Sequence, residues 1–152
     1  MKVLMVCLGN ICRSPLAEGI LQEKVKARGL NWQVDSAGTG NWHAGERPDH
    51  RSIATARRYH IDIGRQRARQ LRDADLEDFD LILAMDASNQ SDILRLAKGQ
   101  NQRDKVKLIM NFLHPNANED VPDPYWDDNG FEGVFNMLDA ACDALLEHYD
   151  AG

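Results

Sequence analysis

The sequence predicts an α/β fold, a three-layer sandwich in which a central four-stranded parallel sheet carries helices on both faces. Four short apolar runs alternate with segments of helical periodicity, which is typical of right-handed βαβ units. The runs are almost continuously apolar, as in Leu-Ile-Leu-Ala-Met at 81–85, and this favours strands that are buried on both faces. With 152 residues and no evident linker or repeat, the chain is expected to form a single domain over residues 1–152.

The elements follow from these patterns in chain order. The predicted strands are Lys2–Val6, Gln33–Ser36, Asp80–Met85 and Lys105–Met110. The predicted helices are Pro15–Arg28, Pro48–Tyr59, Ser88–Lys98 and Phe131–His148. Glycines directly after the first and third of these helices, Gly29 and Gly99, are typical helix ends. An apolar stripe along the last helix predicts its buried face, namely Phe131, Val134, Phe135, Leu138, Leu145 and Leu146.

Ligands of parallel sheets bind beyond the carboxyl ends of the strands, so the loops at those ends are candidate site segments. Three of them are residues 7–13, 36–40 and 85–88. A fourth candidate is the long loop His114–Asn129, because loops of this length in compact domains are usually functional or disordered. Within it, prolines on both sides of Asp123 restrict the backbone and indicate a positioned side chain.

The first of these loops predicts a phosphate-binding loop. Cys7 directly follows the first predicted strand, Arg13 comes six residues later, and Ser14 and Pro15 are typical of the N-cap and first turn of a helix. Backbone N–H groups at a helix N-terminus converge on one point and favour negative charge there. The same donors would stabilise a thiolate and bind a phosphate. A guanidinium can donate hydrogen bonds to two phosphate oxygens at once. A lone cysteine is usually an inert buried thiol. The loop that follows Cys7, with Arg13, Ser14 and Pro15, disfavours that interpretation here.

Cys7 is the better nucleophile, since Cys12 directly precedes Arg13 and is expected to face elsewhere. Attack of a thiolate on phosphorus would give a phosphocysteine. The leaving group then needs a proton and hydrolysis needs a base, and one carboxyl group can supply both. Asp123 is the candidate, although spacing alone leaves Asp120, Asp127 and Asp128 as competitors.

Charge is distributed unevenly along the chain. Residues 1–76 carry 13 Lys/Arg and 8 Asp/Glu (+5), whereas residues 77–152 carry 5 and 16 (−11). The arginine-rich segment 47–72 is interspersed with acids and lacks interleaved aromatics, which favours a solvated surface over nucleic-acid binding. Its charge could help to draw in anionic substrates.

We expect neither a membrane nor an export role, because no apolar stretch approaches the length of a span and Arg13 interrupts the N-terminal apolar run. Three cysteines do not make a disulfide framework, which favours the reducing cytoplasm. The five histidines show no ligand spacing with the cysteines, so no metal is expected.

Four motifs together resemble the low-molecular-weight protein tyrosine phosphatases, over essentially the whole chain. They are Val-Cys-Leu-Gly-Asn-Ile-Cys-Arg-Ser-Pro at 6–15, Val-Asp-Ser-Ala-Gly-Thr at 34–39, Met-Asp-Ala-Ser-Asn at 85–89 and Asp-Pro-Tyr at 123–125. The resemblance implies a four-stranded parallel sheet, no metal or cofactor, phosphotyrosine-containing proteins as substrates, and inorganic phosphate or other oxyanions as competitive ligands.

The resemblance also implies roles for individual residues. Cys7 would be the nucleophile, Arg13 would bind the phosphoryl group and Asp123 would act as general acid and then base. Asn10, helped by Ser36, would hold the loop in a strained shape. The implied substrate-binding residues are Leu8, Gly9, Asn10, Ile11, Cys12, Ser14, Trp42, Tyr125 and Trp126. Among these, Ser14 would hydrogen-bond the thiolate, Cys12 could form a reversible disulfide with Cys7, and the aromatic residues would flank a phenyl ring.

Two positions bear on specificity and on departures from the family. Related arginine phosphatases have Thr where this chain has Ile11, and an apolar side chain there suits an aromatic ring, which favours phosphotyrosine. Many members have His where this chain has Gln66, and a glutamine does not titrate near neutral pH. The supporting role of that histidine therefore does not transfer directly.

Other functions remain open at this point. A thiol-dependent arsenate reductase would share the fold, but it needs resolving cysteines after the third strand, and none lies between Leu81 and Met110. A module that only captures phosphotyrosine would usually lack the nucleophile or the acid, and both Cys7 and Asp123 are present. A redox sensor built on Cys7 and Cys12 could coexist with catalysis.

Overall fold

Four parallel strands form the centre of the protein, whose computed structural model describes residues 1–150. The strands are β1 (Lys2–Cys7), β2 (Gln33–Gly38), β3 (Leu81–Ala84) and β4 (Val106–Leu108). Their order across the sheet is β2-β1-β3-β4, and every pairing is parallel. At the carboxyl end of the sheet Cys7 lies opposite Gly38 and Val6 lies opposite Ala84, so the loops after β1, β2 and β3 meet at one edge. Residues 151 and 152, the end of the predicted domain, lie outside the described residues.

Helices cover both faces of this sheet. They are α1 (Arg13–Ala27), α2 (His50–Arg58), α3 (Asp73–Asp78), α4 (Ala87–Leu96), α5 (Gln100–Arg103) and α6 (Phe131–Asp150). Successive side chains of a strand point to opposite faces. Val3 and Met5 accordingly pack with residues of α1 and α6, whereas Leu4 and Val6 pack with residues of α3 and α4. This arrangement confirms the predicted three-layer α/β fold.

The predicted apolar stripe of the last helix is also confirmed, since all six of its members are buried. Two short helices, α3 and α5, were not predicted. Only Leu76 and Asp75 are buried in α3 and no residue is buried in α5, so neither has the apolar periodicity from which helices are predicted. The predicted fourth strand is too long, because the chain turns into a 3-10 turn at Ile109–Phe112.

The predicted N-cap at Ser14 is wrong. Helix α1 begins at Arg13, and its N-cap residue Cys12 makes no side-chain cap hydrogen bond. The Ser14 hydroxyl instead contacts Cys7 and Asn10. A second difference is that α2 begins at His50, where the carboxylate of Asp49 accepts a hydrogen bond from the Arg51 backbone N–H.

Several arginines of the positively charged segment are used in ion pairs. Arg51 pairs with Asp49 and Asp128, Arg58 with Glu132, and Arg69 with Asp35 and Asp75. The segment therefore links the positive half of the sequence to acids in both halves. Within residues 1–150, no helix combines the length and apolar character that crossing a membrane requires.

Candidate active site

The loop between β1 and α1, residues 7–13, forms the floor of the candidate site, and we call it the phosphate loop. Asn10 has a left-handed backbone conformation (φ 57°), which Asn adopts more readily than most residues. The Gly40 backbone N–H donates to the Leu8 carbonyl, and the Thr39 N–H donates to that of Cys7. A Cβ at Gly38 would lie 2.8 Å from the Leu8 carbonyl oxygen. Only glycine therefore allows the loop after β2 to support the phosphate loop so closely.

A small cavity of about 70 Å³ opens above the phosphate loop. It is lined by Cys7, Leu8, Gly9, Ile11, Cys12, Arg13, Trp42, His43, Asp123 and Tyr125. A larger cavity of about 400 Å³ lies near β4, lined by residues such as Lys107, Phe112 and His148. No thiol, guanidinium or carboxylate of the described residues lines that larger cavity, so its volume does not make it the better candidate. The small cavity brings a thiol, a guanidinium and a carboxylate together.

A chain of hydrogen bonds orients the Cys7 thiol. The Arg69 backbone N–H donates to Asn10 Oδ1 at 3.0 Å, which fixes the orientation of the Asn10 amide. The two Nδ2 hydrogens of Asn10 are therefore donated to the hydroxyls of Ser14 and Ser36, at 2.8 and 2.9 Å. Since the Ser14 oxygen accepts from Asn10, its own proton is free for Cys7 Sγ, 3.0 Å away. The Ser14 hydroxyl is therefore placed to donate a hydrogen bond to the sulfur of Cys7.

The Arg13 side chain is almost fully buried and aimed into the cavity. Its Nη1 donates to Asp86 Oδ2 at 2.6 Å and to the Val121 carbonyl at 2.9 Å. Burial opposes the charge of Arg13, but the nearby Cys7 and the hydrogen-bonded Asp86 outweigh it and raise the Arg13 pKa. Asp86 lies between β3 and α4 and caps α4, where its side chain accepts a hydrogen bond from the Asn89 N–H. This anchoring leaves the Nη2 side of the guanidinium for an oxyanion.

Asp123 lies at the opening of the cavity. Its Oδ2 is 3.8 Å from Arg13 Nη2, and its Oδ1 accepts a hydrogen bond from the Tyr125 N–H. The three competing aspartates are engaged elsewhere: Asp120 accepts from the Ala87 N–H, Asp127 from the Asn129 N–H, and Asp128 pairs with Arg51. Of these four acids, only Asp123 lines the cavity.

The aromatic wall differs in part from the expectation. Trp42 and Tyr125 line the cavity, and the Trp42 ring lies against Gly40, where a side chain would find no room. Trp126 is 90% exposed and does not line the cavity; it contacts the outer side of Tyr125, with ring centroids 4.9 Å apart. His43 lies at the opening instead, 6.4 Å from the Tyr125 ring centroid. Sequence reasoning did not identify this histidine.

Cys12 does not face away from Cys7 as expected, because both cysteines line the same cavity. Burial, reinforced by the charges of Asp49 and Cys7, raises the pKa of Cys12 to about 12. A protonated thiol is a poor nucleophile. Cys12 is therefore the poorer candidate for the nucleophile, although it lines the cavity.

Gln66, the position that departs from the family pattern, supports the start of α1. Its Nε2 donates to the Pro15 carbonyl at 3.1 Å, while its buried Oε1 has no hydrogen-bond partner among the described residues. Those residues also contain no group of three or more His, Cys, Asp or Glu side chains arranged to hold a metal ion.

The far end of the hydrogen-bond chain is Glu18, which sequence reasoning missed. The Ser36 hydroxyl donates to Glu18 Oε1 at 2.6 Å, and Gln22 donates to Oε2 at 3.1 Å. Glu18 is only 7% exposed. Burial raises its pKa from 4.5 to about 7, against the effect of the Ser36 hydrogen bond. A carboxyl group that prefers its neutral form in the folded protein therefore lies beneath the phosphate loop.

The raised pKa of Glu18 predicts that the stability of the folded protein depends on pH. Between pH 4.5 and about 7 the unfolded chain releases the Glu18 proton while the folded protein keeps it, so the free energy of unfolding falls as pH rises, by about 3 kcal/mol. Glu18→Gln is expected to lose this part of the slope and to be more stable than wild type at pH 8. Urea unfolding at several pH values measures it. The exposed Glu23→Gln on the same helix is the control, and an unchanged slope in Glu18→Gln would contradict the prediction.

The chain is similar in sequence and in structure to known phosphatases. The sequence matches the family Low molecular weight phosphotyrosine protein phosphatase over residues 2–151. It is 40% identical over 147 residues to the low molecular weight protein-tyrosine-phosphatase YfkJ of Bacillus subtilis, covering 95% of this chain and 93% of the relative. The structure is similar to a protein tyrosine phosphatase of Entamoeba histolytica crystallised with Hepes in the active site (TM-score 0.93, 32% identity, 100% and 98% of the two chains). It is also similar to DARP, a Drosophila arginine phosphatase (TM-score 0.91, 34% identity, 98% of each chain).

Proposed function

The chain belongs to the low molecular weight phosphotyrosine protein phosphatases and is therefore a protein-tyrosine phosphatase, and we propose that it works through a phosphocysteine on Cys7. In this proposal Arg13 binds the phosphoryl group and Asp123 is the general acid and base. One observation carries the assignment: these three side chains line one small cavity above the phosphate loop.

In the first step the Cys7 thiolate attacks phosphorus, and the bond between phosphorus and the phenolic oxygen breaks. Asp123 donates its proton to the departing oxygen, so the product leaves as the neutral tyrosine hydroxyl. Throughout, the phosphoryl oxygens are held by the backbone N–H groups of the phosphate loop and by Arg13. Donors that are already in place when charge develops contribute most to such catalysis.

In the second step water attacks the phosphocysteine. Asp123, now a carboxylate, accepts the proton of that water as the new P–O bond forms. The S–P bond breaks and the electron pair returns to sulfur, which gives inorganic phosphate and the Cys7 thiolate. The hydroxyl of Ser14, 3.0 Å from the sulfur, donates to the thiolate as it leaves. No metal or cofactor is needed for either step. Phosphate and other oxyanions would occupy the same donors and compete with substrate.

The proposed substrates are phosphotyrosine-containing proteins. Trp42 and Tyr125 provide flat walls at the cavity opening, and Leu8, which is 42% exposed, extends the apolar rim. Trp126, outside the cavity, could contact only residues next to the phosphotyrosine. Ile11 in the cavity wall offers an aromatic ring an apolar contact and gives a guanidinium no hydrogen bond. Arginine phosphatase activity is the second candidate, because DARP shares the fold at 34% identity.

The proposed site of action is the cytoplasm, since the nucleophile must stay reduced. Cys7, Cys12 and Cys142 are all unpaired. Because Cys7 and Cys12 line one cavity, we also propose that oxidation can join them in a disulfide that protects Cys7 from further oxidation.

The proposal is tested with a panel of phosphotyrosine peptides and phosphoarginine, with acid quenching and mass spectrometry to trap the phosphoenzyme. We expect turnover of phosphotyrosine at least about tenfold faster than that of phosphoarginine, which is a difference of about 1.4 kcal/mol in barrier, and a phosphate attached to Cys7. Comparable turnover of phosphoarginine would contradict the substrate assignment, and a phosphate on another residue would contradict the mechanism.

A further inference from the structure

The guanidinium of Arg51 connects two parts of the candidate site that are far apart in sequence. Arg51 lies in the first turn of α2, and its Nε and Nη2 donate to the two carboxylate oxygens of Asp49 at 3.0 and 2.9 Å. Its Nη1 donates to Asp128, which follows Asp123 in the long loop. The Cζ atom of Arg51 lies over two aromatic rings, 5.5 Å from the ring centroid of Tyr125 and 4.6 Å from that of Phe131.

One side of this arrangement is fixed to the phosphate loop. The Asp49 backbone N–H donates to the Ile11 carbonyl at 2.8 Å, and the Ser52 hydroxyl donates to that of Cys12 at 3.2 Å. The start of α2, including Arg51, is therefore attached directly to the loop that carries the nucleophile. Because the pair with Asp49 is bidentate, the direction of the guanidinium is also fixed.

The other side is the segment 123–128, which holds itself together as one unit. The Asp123 carboxylate accepts from the Tyr125 N–H, and Pro124–Trp126 forms a 3-10 turn. The Asp127 N–H donates to the Pro124 carbonyl, which closes that turn. A contact on Tyr125 or Asp128 therefore also positions the Asp123 carboxylate.

Apolar packing also holds this segment, because Pro124 is buried and Tyr125 packs against the buried cluster of Ile11, Cys12, Ala68 and Phe131. Upstream, the Val121 N–H donates to the Met85 carbonyl, and downstream α6 begins at Phe131. Asp123 itself is 3.8 Å from Arg13, beyond hydrogen-bond distance. Arg51 adds to this packing a charged hydrogen bond from outside the segment, which it donates to Asp128.

We propose that Arg51 is a positioning residue that holds the acid-bearing segment 123–128 over the phosphate loop, through Asp128 and the ring of Tyr125. The inference rests on the proposed function, because it requires Asp123 to be the general acid. Arg51 does not line the cavity in which the phosphoryl group is proposed to bind. Its loss is therefore expected to impair proton donation rather than phosphate binding. A lysine could not reproduce the bidentate hydrogen bonds to Asp49.

Leaving-group dependence separates this role from a purely structural one. In Arg51→Ala, kcat/KM for phenyl phosphate, a poor leaving group, is expected to fall about tenfold, a part of the 10²–10⁴-fold that a general acid contributes. The value for p-nitrophenyl phosphate, whose leaving group hardly needs a proton, is expected to change less than about twofold, and so is inhibition by inorganic phosphate. Equal losses on both substrates would overturn the proposal.

Two further variants keep the test decisive. Asp128→Ala removes an exposed side chain, with little risk to folding, and should show a smaller change of the same kind. Arg58→Ala is the matched control, because Arg58 lies on the same helix and pairs with Glu132 of α6 without contacting the segment 123–128. It should leave both substrates unaffected. If Asp128→Ala matches Arg58→Ala, the proposal is wrong even where Arg51→Ala fails to fold.

The double variant Arg51→Ala/Asp123→Ala, compared with the two single variants, forms a double-mutant cycle. If Arg51 acts through Asp123, removing Arg51 from the Asp123→Ala protein should have no further effect on kcat/KM. Additive losses would overturn the inference. The single variant Asp123→Ala separates the two hypotheses: if it lacks leaving-group dependence, the proposed acid is wrong, whereas if it has that dependence and Arg51→Ala does not, only the role of Arg51 fails.

Discussion

Cys7→Ser is expected to lower the turnover of aryl phosphates at least about 10⁴-fold, because a serine hydroxyl in this position has no base to activate it. The Ser14 hydroxyl donates its hydrogen bond to residue 7 and so cannot accept the serine proton. Asp123 must carry a proton in the first step, because it protonates the leaving group. Binding of inorganic phosphate should persist, since the backbone N–H groups and Arg13 are unchanged. Steady-state kinetics and calorimetric titration with phosphate measure the two effects.

Cys142→Ala is the matched control for this experiment. Cys142 is fully buried in α6, away from the cavity, and its burial raises its pKa to about 12. Turnover should therefore be retained in Cys142→Ala. Substantial turnover by Cys7→Ser would show that another group attacks phosphorus. Loss of phosphate binding together with turnover would show that the serine variant disrupts the phosphate loop.

Asp123→Ala is expected to reduce kcat/KM for phenyl phosphate by about 10²–10⁴-fold, because the phenolate must then leave without a proton. The reduction should be much smaller for p-nitrophenyl phosphate, whose leaving group is already stable as an anion. A plot of log kcat/KM against leaving-group pKa for a series of substituted phenyl phosphates measures the effect, and the variant should give the steeper slope.

The control for the acid is Asp127→Ala in the same loop. Asp127 accepts only the Asn129 N–H and does not line the cavity, so its removal should leave the slope unchanged. An Asp123→Ala protein that loses activity equally on all substrates would contradict the acid role. Such a result would assign Asp123 to holding Arg13, which its 3.8 Å separation from the guanidinium allows.

Contacts between distant parts of the chain decide most of what the sequence left open. Asp120, Asp123, Asp127 and Asp128 are similar as sequence, yet only Asp123 lines the cavity because the other three have partners elsewhere. Asp86, 73 residues from Arg13, is the guanidinium's anchor, and nothing local to Asp86 indicates this. Likewise Arg51 is 77 residues from Asp128, so no spacing pattern could have connected them.

The error at Ser14 has the same origin. A serine before a proline at the start of a helix is a good N-cap by local rules. In the folded protein its hydroxyl has better partners, Cys7 and Asn10, and the helix starts one residue earlier. Cys12 was misplaced for the same reason, since its side-chain direction depends on how the phosphate loop folds over the end of the sheet.

By itself the sequence determined the layered α/β fold, the strand that delivers Cys7 and the six-residue interval to Arg13. These features depend on hydrophobic burial and on local backbone preferences, and both can be recognised from short stretches of sequence. Only the tertiary structure decided which acid faces the thiol, why Glu18 resists ionisation, and how Arg51 reaches the long loop. Each of those depends on desolvation and on charge at distances of a few ångströms, and only folding brings such groups together.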